Sequence, residues 1–281
     1  MKNPLRFIVV LLVALVAAFG YFDWQRERPE SLQQVRAPAA SAAQAASAPA
    51  SSAPTSAPAS APVSAPELAL PASSAQPLPE LGESDAAMGK AIAGLIGRQA
   101  FVAWLIPHRL VMHIVATIDN LPRAQVPAKA WPVKPVPGAF RTVGTGAGLA
   151  ISPDNAPRYA DDMRILESVE PRRLVDVYLA FYPLFERAYR QLGYPQGDFN
   201  ARLLAVIDNL LAAPEPQAPI RLTQPHVLYQ YADPALESAS AGQKILMRMG
   251  ARNEALVKAK LRAIKQELAR HMRPAGAKPA S

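Results

Sequence analysis

Apolar and polar positions divide the chain into three textures. Residues Phe7 to Phe22 form an uncharged, mostly apolar run, preceded by Lys2 and Arg6 and closed by Asp23, Trp24, Arg26, Glu27 and Arg28. From about Ser31 to Pro79 the chain is almost wholly Ala, Ser and Pro, with neither helical nor strand periodicity. Beyond it, apolar residues recur at spacings of three and four, the period of one helix face. Met88, Ile92, Leu95 and Ile96 predict a helix from near Ala86, with Ser84 or Asp85 as its cap. Phe101 to Ile106 follow, Pro107 breaks the pattern, and Arg109 to Leu121 reads as a strongly apolar helix at the centre of the core.

The next segment alternates in a different way. Pro122, Pro127, Pro132, Pro135 and Pro137 interrupt it, and it leads into Phe140 to Val143, a Gly144-Thr145-Gly146-Ala147-Gly148 turn and Leu149 to Ser152, which predict a hairpin. Asp161 to Val169 reads as a short helix, and Pro171 opens a longer one to about Leu192. Leu174, Tyr178, Phe181, Phe185 and Tyr189 line one side of that helix as core, and Pro183 predicts a kink. Asp198 or Asn200 caps a further helix to about Ala212, and Ile220 to Thr223 with Val227 to Tyr231 suggest a second hairpin. A single amphipathic helix is expected from about Ser240 to Arg270, with Ile245, Met249, Leu256, Leu261, Ile264 and Leu268 on its apolar side. One echo runs through this part: Ile118-Asp119-Asn120-Leu121 recurs as Ile207-Asp208-Asn209-Leu210, each copy leading into a Pro-rich loop and a short β-like stretch. The expected class is mainly α, a bundle-like helical domain with one or two short β-hairpins.

Divided by texture, the chain has a tip at 1–3, an apolar segment at 4–22, a linker at 23–79, a helical domain at 80–273 and a tail at 274–281. The 19 residues from Pro4 to Phe22 would span about 28 Å as a helix, enough to cross a bilayer. The aromatic cluster Tyr21, Phe22 and Trp24 suits the outer interface, and the N-terminal cations favour a cytoplasmic N-terminus with the domain outside. A cleaved signal peptide ending near Val16-Ala17-Ala18 is the alternative. The tract has too little apolar surface to offset the entropy of ordering it and is expected to be disordered. Its Ala-Pro repeats favour extended polyproline geometry, with a reach of about 40 Å as a coil and about 150 Å fully stretched.

Charge adds a second layer. Lys and Arg number 30 against 22 Asp and Glu. From Lys244 onward there are ten cations against Glu254 and Glu267, leaving equal numbers of each sign in the rest. No acidic residue lies between Asp119 and Asp154, a stretch that carries Arg123, Lys129, Lys134 and Arg141. These loop cations together with Trp131 are the first candidate contact surface for an anionic partner, and Lys244, Arg248 and Arg252 on the basic helix are the second.

Catalytic chemistry leaves little trace. The absence of cysteine removes disulfides, thiol catalysis and Cys-ligated metals. There is no Gly-x-Ser-x-Gly elbow, and the Gly-rich turn lacks the strand, loop and helix context of a nucleotide site. His108 and His113 stand five apart, which is not a metal-ligand spacing on a helix, and His226 and His271 have no evident partners. The carboxylates available to pair across a cleft are Asp119, Asp161, Asp162, Glu167, Glu170, Asp176 and Asp208. No cofactor or metal is expected, and nucleic acid is not an expected partner because the basic helix is predicted to lie outside the cytoplasm.

The apolar N-terminal segment and Ala-Pro tract, with Leu78-Pro79-x-Leu81-x-x-Ser84-Asp85, Trp104-Leu105-Ile106, His113 to Leu121 and Trp131-Pro132-Val133, resemble a proteobacterial membrane-anchored family known only as domain of unknown function 3014. The resemblance covers Leu78 to Arg270. It implies a single-pass inner-membrane protein with a periplasmic domain and no particular activity. The expectation is a non-enzymatic tethered domain that binds an envelope protein or anionic polymer. An envelope hydrolase or transferase with a carboxylate pair, and a structural subunit of an inner-membrane complex, are the alternatives.

Overall fold

The computed structural model describes residues 67–68 and 78–273. The apolar segment at 4–22, most of the linker and the tail at 274–281 lie outside the described residues. Among the described residues no helix is long and apolar enough to cross a membrane.

The fold is mainly helical, built around the helix with the most continuous apolar face. In α3 (Leu110–Asn120), Leu110, Val111, Ile114, Val115 and Ile118 are buried at spacings of one, three and four. Around it pack α1 (Asp85–Ile96), α5 (Pro171–Gln191) and α6 (Phe199–Leu211). The last helix, α9 (Ala251–Arg270), closes the bundle against α4 (Ala160–Ser168), α5, α6 and α8 (Ala241–Arg248). The surface helix α2 (Arg98–Trp104) contributes no fully buried residue, and α7 (Pro234–Glu237) is a single turn.

Local chemistry explains several boundaries. Asp198 accepts from the Ala201 amide at the start of α6, as a capping Asp should. Ser240 and Gln243 form a reciprocal capping box at α8. Asp85, by contrast, caps another helix: its two carboxylate oxygens accept from the Arg109 and Leu110 amides at the start of α3, each at 2.7 Å. That bond holds Arg109 in the left-handed region at φ 48. Pro183 sits exposed inside α5, which continues through it. The aromatic side of α5 is core, as its spacing predicts: Tyr178 stacks on Phe185, and Phe185 on Phe199 of α6, with centroids 5.6 and 5.8 Å apart.

Two findings differ from the sequence pattern. The final amphipathic stretch is two helices, because Gly250 adopts φ 90, a conformation that side-chain-bearing residues avoid, and turns the chain between α8 and α9. Ordered pairing also begins earlier than the composition suggests. Strand β1 (Glu67–Leu68) pairs antiparallel with β6 (Met272–Arg273), and Leu68, Leu78 and Leu81 pack on the core. Leu68 and Leu78 fall near the end of the tract and Leu81 just beyond it, and each has apolar surface to bury that the surrounding Ala, Ser and Pro lack.

Both hairpins form. Strand β2 (Thr142–Val143) pairs with β3 (Ala150–Ile151), and β4 (Leu222–Thr223) with β5 (Gln230–Tyr231). An Ala150–Arg221 bridge joins the two edge to edge. Gly144 is required at the first turn, since a Cβ there would lie 2.4 Å from the Gly148 carbonyl oxygen. The element order therefore repeats: α3, hairpin, α4, α5, and then α6, hairpin, α8, α9, with α7 added in the second set.

Candidate functional site

The acid-free segment is not a free loop. It is stitched to α2 and α3 by the Leu105–Val133 bridge, by the Ile106 amide donating to the Pro132 carbonyl at 2.8 Å, and by the Lys134 amide donating to the Trp104 carbonyl at 2.7 Å. The Thr117 hydroxyl donates to the Ala130 carbonyl at 2.6 Å. Val126, Trp131, Val133 and Val136 turn inward, and Lys129, Lys134 and Arg141 turn outward. Trp131 is 2% exposed and belongs to the core, because so large a ring gains more from burial than from display.

The other seven candidate residues occupy distinct surroundings. Arg123 donates to Asp119 at 2.6 Å and to the Tyr194 hydroxyl at 2.8 Å. Asp119 is buried and also accepts from Arg202 Nε at 2.9 Å, so Arg123 completes an internal cluster. Asp119 raises the Arg123 pKa above its ordinary value by direct attraction. Lys129 is exposed, and the Lys134 ammonium donates to the Val102 carbonyl at 2.8 Å. Arg141 lies 3.9 Å from Asp154, and its backbone is braced on both sides by the Asn155 amide.

On the C-terminal helices, Lys244 pairs with Glu237 at 2.7 Å, and Arg248 lies over the rings of Phe140 and Tyr231, with its guanidinium carbon 5.9 and 5.5 Å from the centroids. Through Phe140, Arg248 is brought to the end of the acid-free segment. Arg252 stands apart on the rim of a cavity of about 380 Å³, with Arg164 and Glu167 of α4, over Met163 and Leu256.

The basic face of the last helix is largely consumed within the fold. Lys258 is buried, donating to the Ala213 carbonyl and Glu215 at 2.7 Å each and lying 2.8 Å from Glu254. Lys260 donates to the Val169 carbonyl, and burial lowers its pKa. Lys265 bonds Asp208, and Arg270 bonds Glu267. Helical spacing places Glu254 and Glu267 within reach of Lys258 and Arg270, but it does not reveal Ala213, Glu215, Val169 and Asp208, which come from other elements.

Three of the carboxylates considered for a cleft pair have cationic partners. Asp161 pairs with Arg164, Asp208 with Lys265, and Asp119 with two arginines. Asp162 is buried, and desolvation, then the neighbouring Asp161, pushes its pKa up to about 7. The His108 and His113 rings meet edge-on with centroids 6.3 Å apart, and burial, Arg109 and His108 lower the His113 pKa. Among the described residues no group of three metal-ligating side chains gathers.

From residue 86 to 153 the chain has seven Lys or Arg and one acid, Asp119, which is enclosed. The cationic segment thus extends back through α1 and α2. Charge counting over a wider window finds it. The exposure of Val102 at 62% and Ile106 at 38% within it is visible only in the fold.

No curated protein and no solved structure matches the chain. A family model described as "Protein of unknown function (DUF3014)" matches residues 110–265. That span begins at the first residue of α3 and ends within α9. It includes His113 to Leu121 and Trp131-Pro132-Val133, while the earlier motifs at Leu78 to Asp85 and Trp104-Leu105-Ile106 precede it. The match takes in more than half of the chain and both rounds of helix, hairpin and paired helices, and on that ground the chain belongs to the DUF3014 family of proteins of unknown function.

Proposed function

We propose that this is a membrane-tethered, non-enzymatic interaction domain, carried on a single N-terminal span and working outside the inner membrane on an anionic partner of the cell envelope. The observation that carries the reading is the outward set of cations on a rigidly braced segment. Lys129, Lys134 and Arg141 project from backbone held by bonds to α2, α3 and Asn155, while the buried side chains between them fix the spacing. A fixed array of like charges attracts a polyanion at little ordering cost. The apolar run at 4–22 supplies the anchor in this reading, and the Ala-Pro tract supplies reach.

The test replaces Lys129, Lys134 and Arg141 together with Ser in the full chain and measures retention on purified sacculi and on lipopolysaccharide. Loss of retention with an unchanged unfolding midpoint is expected. Unchanged retention on both would remove the anionic-polymer reading and leave a protein partner, which crosslinking in cells followed by mass spectrometry would identify.

A further inference from the structure

We propose that the face formed by α2 and the chain beside it docks onto an anionic phospholipid surface. The inference rests on the tethered reading above and names a second contact for the same cationic segment.

Helix α2 is held from below and bare above. Phe101 and Trp104 pack half-buried on the core, with the Phe101 ring against Gly89, while Arg98, Gln99, Val102 and Ala103 face out. Val102 and Ile106 are among the large apolar side chains left exposed in the described residues. Arg98 stands one turn before Val102, hence on the same side of the helix. The Lys134 ammonium is held beside Val102 by its bond to the Val102 carbonyl. Ile106 is tied to Pro132, two residues from Lys134, and His108 and Arg109 follow it. Apolar side chains and cations therefore alternate over one rigid surface.

Carboxylates do not neutralise that surface. Among the described residues Arg98, Arg109 and Lys134 form no ion pair with an acidic side chain. Asp85 is engaged with the Arg109 and Leu110 amides, and Asp119 is enclosed by Arg123 and Arg202.

The chemistry favours a lipid surface over an acidic protein. Two exposed aliphatic side chains without an exposed aromatic anchor make too small an apolar centre for a stable protein interface. Short apolar groups among cations suit shallow contact at a headgroup layer, where each cation contributes little alone. A contact that weak is occupied when an anchor on the same chain keeps the domain close to the surface.

The experiment uses the full chain with vesicles of phosphatidylcholine alone or mixed with phosphatidylglycerol, followed by flotation and amide hydrogen exchange over residues 98–109 and 129–136. Flotation on both vesicles reports the anchor. Protection of those residues only on the anionic vesicles, reduced about fivefold by Arg98→Gln and again by Lys134→Gln, is the expected result. Val102→Ser should weaken it as well, at an exposed position where folding is not at stake. Flotation on both vesicles with no lipid-dependent protection would overturn the docking and leave the tether standing. Flotation on anionic vesicles alone would support the docking and sink the tether. Failure to float on either overturns both. Protection by soluble polyglutamate without protection on anionic vesicles would assign the face to an acidic protein and overturn the lipid proposal.

Discussion

The Asp119 carboxylate gathers Arg123, Arg202 and the Tyr194 hydroxyl from three parts of the chain. Asp119→Ala strands the half-buried Arg202, so urea unfolding should show a loss of about 3 kcal/mol. Arg123→Ala should cost under about 1 kcal/mol, because Arg123 is half exposed and water replaces its partner. Equal losses for the two changes would contradict this division. Asp162 behaves in the opposite sense. Burial and Asp161 raise its pKa from 3.8 to about 7, so the folded state holds a proton that the unfolded state releases. Its contribution is fully present below about pH 4 and is lost as pH rises through about 7. Asp162→Asn should therefore gain stability over wild type with rising pH, on the order of 4 kcal/mol above pH 7, and little below pH 4. A pH-independent difference would refute the assignment.

Between elements, the start of α8 is the joint of the bundle. The Ala241 and Gly242 amides donate to the Arg123 and Leu121 carbonyls, while Ser240 and Gln243 bond Asn209. The two echoed segments, ending at Leu121 and Leu210, thus meet around Gly242. A Cβ there would fall 2.5 Å from a Leu210 methyl and 3.3 Å from Leu121, so Gly242→Ala should destabilise by about 2 kcal/mol in thermal unfolding. An unchanged midpoint would mean that the joint is loose. The echoed acids themselves diverge: Asp119 is buried among arginines, while Asp208 is exposed and pairs with Lys265. Helix α9 is pinned by a different device, the buried Lys258 between Glu254 and the Pro-rich exit of α6. Lys258→Met leaves Glu254 buried without its cation and should cost about 3 kcal/mol. Adding Glu254→Leu should restore most of that loss, and a double mutant as unstable as the single would show that packing, not charge, sets the cost.

For the whole molecule, the pairing of Glu67–Leu68 with Met272–Arg273 brings the entry and exit of the folded unit together. Deleting residues 38–66 should leave the unfolding midpoint unchanged, because the deletion stops short of the paired strand. Extending it through Leu68 should lower stability by about 1 kcal/mol, through the lost burial of one leucine and its strand bonds. If both deletions behaved alike, the strand pair would carry no stability. If shortening 38–66 also left function in cells intact, while loss of residues 4–22 did not, the tract would act as a spacer of no required length and the working surface would lie near the membrane. The docking face on α2 fits that outcome.

The helical class, both hairpins, the aromatic core of α5 and the Asp198 cap were legible in the sequence, since each depends on neighbours within a few residues. Periodicity reports which side of an element is buried, and turn and cap chemistry reports where the element ends. Periodicity also suggested one long basic helix, and it missed the turn at Gly250 because both flanking segments keep similar apolar spacing. Which group from a distant element a charge touches was not legible. Asp85 caps a helix 24 residues away, Lys258 is buried against a distant loop, and Trp131 turns inward although it sits among exposed cations. The local elements and the segregation of charge are fixed by short-range order and composition, and both can be read along the chain. Which cations remain at the surface depends on the fold, because ion pairing and burial depend on which faces meet, and that geometry is set by contacts between residues far apart in the chain.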